Sequence, residues 1–484
     1  MKRLVVVFAA LVCVGPVLAQ VSDAEAQYRV ARRLAAEGSA GAAAALDRVV
    51  TLDPTGPLAD DALLERASLN GLPRWPEQRG ALVFAAVSES KPLLEKILRD
   101  LPAGDRAEEA AYRLGLLLLE PLPGYDFEEA RLLLLALAAA GRQSEWSFAA
   151  RYTLAWTAEQ RGDFARAEDA YQRLRVDVPG SAVAARSSVA IGRLRLRSAQ
   201  PALSAARFQD GLASGAIDAA LEQQTGALQA VAVDALLRRI ATTEALRLSG
   251  LSRPSALAAL GRAGALIVQR RGGAVVELDA TGAAVDRWAI EQPLSAVATP
   301  NGLRYAFTAA AVLRLESGGR SFVVATAGDL NGLSGGVADD LGRLWVLDRK
   351  GERVGLIEPG TTTPVPLWSA DGSRLSTLAW DGNRLLSVDT RNRSVIAIFP
   401  DGSTQTVVPE GLDRPTALAV DPAGRIAVLE AKGTSVRFFA ADGSGLGHFS
   451  AVGAGMQRAS DLSLGLDGTL QLVEETSGSW WRAR

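Results

Sequence analysis

A chain of 484 residues is longer than one hydrophobic core ordinarily supports, so at least two domains are expected. Its formal charge of -2 leaves no electrostatic footprint for nucleic acid. With His448 as the single histidine and Cys13 as the single cysteine, imidazole-based catalysis, histidine-rich metal centres and thiol chemistry have almost nothing to rest on.

The chain opens with Lys2 and Arg3, then an apolar stretch over residues 4–18 interrupted by Gly15 and Pro16, then Val17-Leu18-Ala19 before Gln20. This is the pattern of a secretory signal cleaved after Ala19. The stretch is too short and too broken for a bilayer span, which takes about 20 apolar residues, and no later segment reaches that length. Cys13 follows Val12, where a lipoprotein signal wants a small residue, so lipidation is not expected. The mature protein is expected to be periplasmic or secreted, without cysteine and so without disulfides.

Fifteen of the 47 glycines fall in residues 20–240 and 31 in residues 241–484, so turns are concentrated in the second half. Residues 20–240 are rich in Ala, Leu, Arg and Glu with apolar residues at helical spacing, and an all-helical domain is expected there. The clearest unit runs over residues 148–179, with Leu154, Ala155, Gly162, Phe164, Ala167, Tyr171, Leu174 and Pro179 at its key positions. Ala42, Leu46, Val49 and Pro54 repeat its second-helix offsets, and Phe127, Ala130, Leu134 and Leu137 give a looser copy. Leu72-Pro-Arg-Trp-Pro76 breaks the pattern and marks an irregular connection. These units resemble the tetratricopeptide repeat (TPR), which implies five or six helical pairs stacked into a solenoid with a groove for peptide or protein partners; a rigid spacer is the other reading.

From residue 253 the chain repeats at about 40 residues, the spacing of a four-stranded propeller blade. Arg253-Pro-Ser-Ala-Leu-Ala258, Pro293-Leu-Ser-Ala-Val-Ala298, Leu333-Ser-Gly-Gly-Val-Ala338, Arg374-Leu-Ser-Thr-Leu-Ala379, Arg414-Pro-Thr-Ala-Leu-Ala419 and Arg458-Ala-Ser-Asp-Leu-Ser463 align without gaps, so six blades are expected. Second strands follow at 344–348, 385–389 and 426–430, and Asp401-Gly402 and Asp442-Gly443 supply hairpin turns. The last copy runs out of chain before a fourth strand, and the segment 244–248 is its natural donor, closing a propeller of residues 241–484. Residues 385–399, with Val388-Asp-Thr-Arg-Asn-Arg393, and then residues 415–439 resemble the blades of NHL-type propellers, while six-bladed relatives such as gluconolactonase-like enzymes stay open.

Inner strands begin, and second strands end, on one face of a propeller. Arg253, Arg374, Arg414 and Arg458 begin four inner strands, and Asp348, Asp389, Glu430 and Glu474 end four second strands. Their proximity allows a basic-rimmed funnel for an acidic peptide or carboxylate ligand, or a ring of arginine–carboxylate pairs stitching the blades together. Ser255, Ser295, Ser376, Thr416 and Ser460, with Gly335 in the third blade, share one position and are expected to bond backbone near the channel mouth. His448 falls in an outer strand, and Trp288, Trp345, Trp368, Trp380, Trp480 and Trp481 are expected to fill spaces between blades.

The expectation is a non-enzymatic interaction or assembly protein of the bacterial cell envelope that binds protein or peptide partners, with no cofactor, no metal and no nucleic acid. The alternative is a calcium-dependent, gluconolactonase-like hydrolase, for which Asp339, Asp340, Asp389, Asn392 and Glu430 offer oxygens. A sensor that binds a small glycan or lactone is a third reading.

Overall fold

The computed structural model describes residues 22–483, apart from 82–83, 123–124, 140–142, 241–244, 262–263 and 370–371. The segment expected to be a secretory signal and Glu244 of the expected closing strand lie outside the described residues. Among them no helix is long and apolar enough to cross a membrane.

Among the described residues eleven helices come first: α1 (Asp23–Ala36), α2 (Ala42–Leu52), α3 (Ala59–Ser68), α4 (Phe84–Asp100), α5 (Ala107–Leu118), α6 (Phe127–Ala139), α7 (Glu145–Gln160), α8 (Phe164–Asp177), α9 (Ala182–Arg197), α10 (Pro201–Ala213) and α11 (Ala219–Leu236). The side chains of Ser22, Ser144, Asp163, Ser181 and Asp218 accept N–H groups of the first turns of α1, α7, α8, α9 and α11, which fixes where those helices start. Each helix packs on the next in chain order, and α5, α7, α9 and α11 also touch one another, forming an inner row backed by α6, α8 and α10. Small residues allow the close approach: Gly192 of α9 receives the ring of Phe208 of α10, where a Cβ would stand 2.5 Å from the ring.

The second half is a ring of six four-stranded antiparallel sheets. The inner strands are Ala256–Leu260, Ser295–Ala298, Leu333–Ala338, Leu375–Trp380, Ala417–Val420 and Asp461–Leu464, in blades 1 to 6. The second strands are Gly264–Gln269, Arg304–Phe307, Leu344–Asp348, Leu385–Asp389, Ile426–Glu430 and Leu470–Glu474. Ala245–Leu248 pairs antiparallel with Ser479–Ala483 and supplies the outermost strand of blade 6, so the ring closes between chain segments far apart in sequence. Trp288 is fully buried between blades 1 and 2, its Nε1 donating to the carbonyl of Glu316 at 2.7 Å, and Trp345 stacks on Trp380 at 4.3 Å between blades 3 and 4.

Candidate functional site

The two faces of the propeller are built from different turns. On one face the inner strand runs into the second strand through an Asp-x-x-Gly-Arg turn, seen in Asp339–Arg343 and Asp421–Arg425 and shortened in Asp381–Arg384. In each, the aspartate accepts two N–H groups of its own turn and then the arginine Nε, at 2.7 Å for Arg343, 2.9 Å for Arg384 and 2.6 Å for Arg425. With one edge of the guanidinium held, the other is aimed away from the turn. Arg343 donates to the carbonyl of Gln160 at the end of α7 (2.6 Å) and Arg425 to that of Arg239 (2.7 Å), while Arg384 reaches Ala441 of the next blade (3.0 Å).

This face is where the helices dock. Gln224 of α11 donates to the carbonyl of Pro300 at 3.1 Å, and the N–H of Phe84, at the start of α4, donates to Glu316 at 2.7 Å. Arg79 is fully buried at the junction, with its guanidinium 4.7 Å from the ring of Trp156. It donates to the carbonyl of Leu119 and, at 2.6 Å, to that of Asp340. Glu120 lies 3.8 Å from Arg314 of blade 2; burial pushes its carboxyl up to about 7, against the pull of Arg79 and Arg314.

The groove that helical pairs would offer a peptide is covered by the chain itself. Residues 72–79 run across the inner row: Pro73 O accepts from Arg113 at 2.8 Å, Arg74 O from the Tyr112 hydroxyl at 3.0 Å, and Trp75 packs edge-on against Tyr152 at 5.9 Å. The Arg186 guanidinium lies 4.4 Å from the Trp75 ring and is paired with Glu77 and Asp218, and Tyr152 also donates to Glu77. The irregular connection expected at Leu72–Pro76 is thus an extended strap that continues through a 3₁₀ turn, Pro76–Ala81, into the interface.

Between helices and propeller, continuous with the central channel, is a cavity of about 360 Å³. Its floor is made by Trp156, Gln160, Arg193, Leu196, Arg197 and Leu228, and its wall includes Asn301, Asp340, Trp380 and Asp461. Asp461 is the only charged side chain on the six inner strands. Its Oδ2 accepts the N–H of Leu257 across the closing junction at 3.0 Å, and burial pushes its carboxyl up to about 7. Arg193 binds Glu159 through Nε at 3.1 Å and Nη2 at 3.0 Å. Burial would raise the Glu159 carboxyl, but Arg193 and Arg197 more than offset this and hold it below its usual range.

The opposite, open face carries the residues singled out in the sequence. Asp348, Asp389, Glu430 and Glu474 are all buried. Asp348 accepts the N–H of Glu352 at 2.9 Å, Asp389 those of Arg374 (3.1 Å) and Arg391 (3.0 Å), Glu430 that of Asp413 (3.1 Å), and Glu474 those of Gln457 (2.7 Å) and Arg458 (3.0 Å). Where a guanidinium joins them it comes from a third strand, Arg353 at 3.4 Å from Asp348 and Arg437 at 3.6 Å from Glu430. The side chains of Arg253, Arg374, Arg414 and Arg458 are exposed, and none pairs with these four acids; Arg414 pairs only with its exposed neighbour Asp413 at 3.1 Å. The ring of arginine–carboxylate pairs is therefore not formed, because backbone N–H groups take the carboxylates first.

Ser255 and Thr416 donate to strand carbonyls at 3.3 and 3.4 Å, and Ser460 accepts the N–H of Glu475 at 3.1 Å; the Ser295 and Ser376 hydroxyls are buried with no partner. His448 is exposed in an outermost strand, Gly445–Ser450. The five oxygen donors considered for calcium do not converge: Asp339 and Asp340 are on the covered face, while Asp389, Asn392 and Glu430 are on the open one. Among the described residues the one group of three acids close enough to share an ion is Asp60, Asp61 and Asp105, at the α3–α5 end of the helical half.

Sequence reasoning missed Arg79, Gln160, Arg193, Arg197, Asn301 and Asp461. Asp461 was legible as the odd residue among inner strands of small and apolar side chains.

No protein-family model and no curated protein matches this chain. Solved structures do. A streptogramin B lyase is 13% identical over 50% of this chain and 98% of its own, with a TM-score of 0.40. A gluconolactonase from Xanthomonas campestris is 17% identical over 51% of this chain and 92% of its own, with a TM-score of 0.42. Regucalcin, a calcium-binding protein from Agrobacterium tumefaciens, is 14% identical over 48% and 90%, with a TM-score of 0.39. Likenesses this distant carry no reading of activity.

Proposed function

We propose that this chain is a non-enzymatic binding protein of the cell envelope, and that its recognition surface is the open face of the propeller, where acidic side chains of a partner protein dock on Arg253, Arg374, Arg414 and Arg458. The supporting observation is that these guanidiniums stand exposed around the channel mouth while the acids beneath them are withdrawn onto backbone N–H groups. An exposed arginine fork is suited to carboxylates. On this reading the helices are TPR-type pairs whose groove the chain's own strap fills, the blades are NHL-type, and the helical half braces the propeller. The positive start at Lys2 and Arg3 and the apolar stretch behind it support export.

The test uses a fluorescent 15-residue polyglutamate peptide as probe. Binding by anisotropy should weaken steeply with salt and fall at least tenfold in a chain carrying Arg253→Gln, Arg374→Gln, Arg414→Gln and Arg458→Gln together. Equal affinity of parent and variant would sink the proposal. The hydrolase alternative needs oxygens gathered at one place, and the division of its candidate ligands between two faces weighs against it.

A further inference from the structure

The cavity between helices and propeller holds two opposite charges that are each short of a partner, Arg197 in its floor and Asp340 in its wall. Glu159, behind the floor, accepts from the Tyr171 hydroxyl at 2.9 Å and from two nitrogens of Arg193. What remains for Arg197 is one long contact, 3.5 Å from Nη1 to Oε1, and the Phe164 ring 5.7 Å from its guanidinium, so its Nε and Nη2 make no hydrogen bond to the described residues. Arg197 ends α9 and lies against Gly382 in the blade 4 turn, where a Cβ would stand 2.6 Å from its Nε.

Asp340, in the blade 3 turn, lines the same cavity. Its Oδ1 accepts the N–H of Asn301 at 3.2 Å and its Oδ2 accepts nothing from the described residues. Burial pushes this carboxyl up to about 6, with the Asn301 N–H and then Arg193 and Arg197 pulling it the other way. Arg197 is thus close enough to be felt but forms no ion pair with Asp340. The two groups belong to different halves of the molecule, and the docking contacts hold those halves in place. Beside them are the amide of Gln160 and the apolar side chains of Leu196, Leu228 and Trp156.

We infer that this cavity is a binding site for a small zwitterion with an apolar body, a free α-amino acid, whose carboxylate meets Arg197, whose ammonium meets Asp340 and whose side chain lies against Leu196 and Leu228. A volume of about 360 Å³ is at the lower end of the range for small-molecule sites, which suits a ligand of this size. A ligand with one charge leaves the other protein group uncompensated, and a dianion meets Asp340. The ligand bridges the helical and propeller halves, and this site is independent of the arginine rim at the opposite mouth.

Calorimetric titration of the full chain tests this with three size-matched probes: L-leucine, 3-methylbutylamine, which lacks the carboxylate, and 4-methylpentanoate, which lacks the ammonium. Leucine should bind at least tenfold more tightly than either. Arg197→Gln should abolish the advantage of leucine over the amine, and Asp340→Asn its advantage over the acid. Should either variant fail to fold, Leu228→Ala gives a second readout, shifting preference from leucine toward phenylalanine. Leucine binding no better than both analogues, or not at all at millimolar concentration, overturns the inference.

Discussion

The covered and open faces of the propeller use the same two residue types to opposite ends. On the covered face Asp339, Asp381 and Asp421 grip the Nε of an arginine in their own turn, and Arg343 and Arg425 go on to hold the helical half. On the open face Asp389 and Glu474 grip the backbone of Arg374 and Arg458 and leave the guanidiniums in solvent. A carboxylate beside an arginine therefore does not predict an ion pair. What decides is whether the turn presents unsatisfied N–H groups, and where the arginine stem points.

The contrast can be broken most severely at Arg79. Its removal strands the carbonyl of Leu119, leaves that of Asp340 with the Asn301 amide alone and takes a compensating charge from Glu120, so Arg79→Ala should lose about 3 kcal/mol in chemical denaturation. Arg343→Ala, which removes the link to the end of α7, should lose about 1–2 kcal/mol by the same measurement.

Asp461 sharpens the comparison through pH. Its folded pKa of about 7 is above the ordinary 3.8, so the native chain holds this proton more tightly than the unfolded one. The stability it contributes is fully present below pH ~4 and is lost as pH rises through ~7. Asp461→Asn cannot ionise and should gain on the parent between pH 4 and pH 8, by up to about 4 kcal/mol, in melts run across that range.

The smallest effects belong to the open rim. Arg374→Gln should change stability by less than about 0.5 kcal/mol, since its side chain holds nothing. Arg253 and Arg414 sit at φ values of +49° and +48°, so Arg253→Gly and Arg414→Gly should be neutral or slightly stabilising despite the entropy of glycine. A loss of more than 1 kcal/mol in any of these three would show that the rim arginines are structural after all.

Much of the architecture was legible. The six gapless copies matched inner strands because a blade's period is set by four short strands and their turns, all local in sequence. The incomplete last copy pointed to a donor strand, because an unpaired sheet edge is a local shortage visible without knowing the fold. The site was harder to read. Arg193 and Arg197 look like ordinary charges near a helix end, and Leu72–Pro76 like a mere break in periodicity.

The sequence by itself thus determined the two kinds of repeat, their order and the closing of the ring, since each follows from periodic burial over tens of residues. Only the tertiary structure decided that the strap fills the groove, that the helices cover one end of the channel, and that Arg197 and Asp340 share a cavity. The first depends on contacts such as Pro73 with Arg113, and the others on contacts between residues more than a hundred positions apart, such as Arg79 with Asp340 and Arg343 with Gln160. No local pattern encodes which turn of a blade another domain will meet.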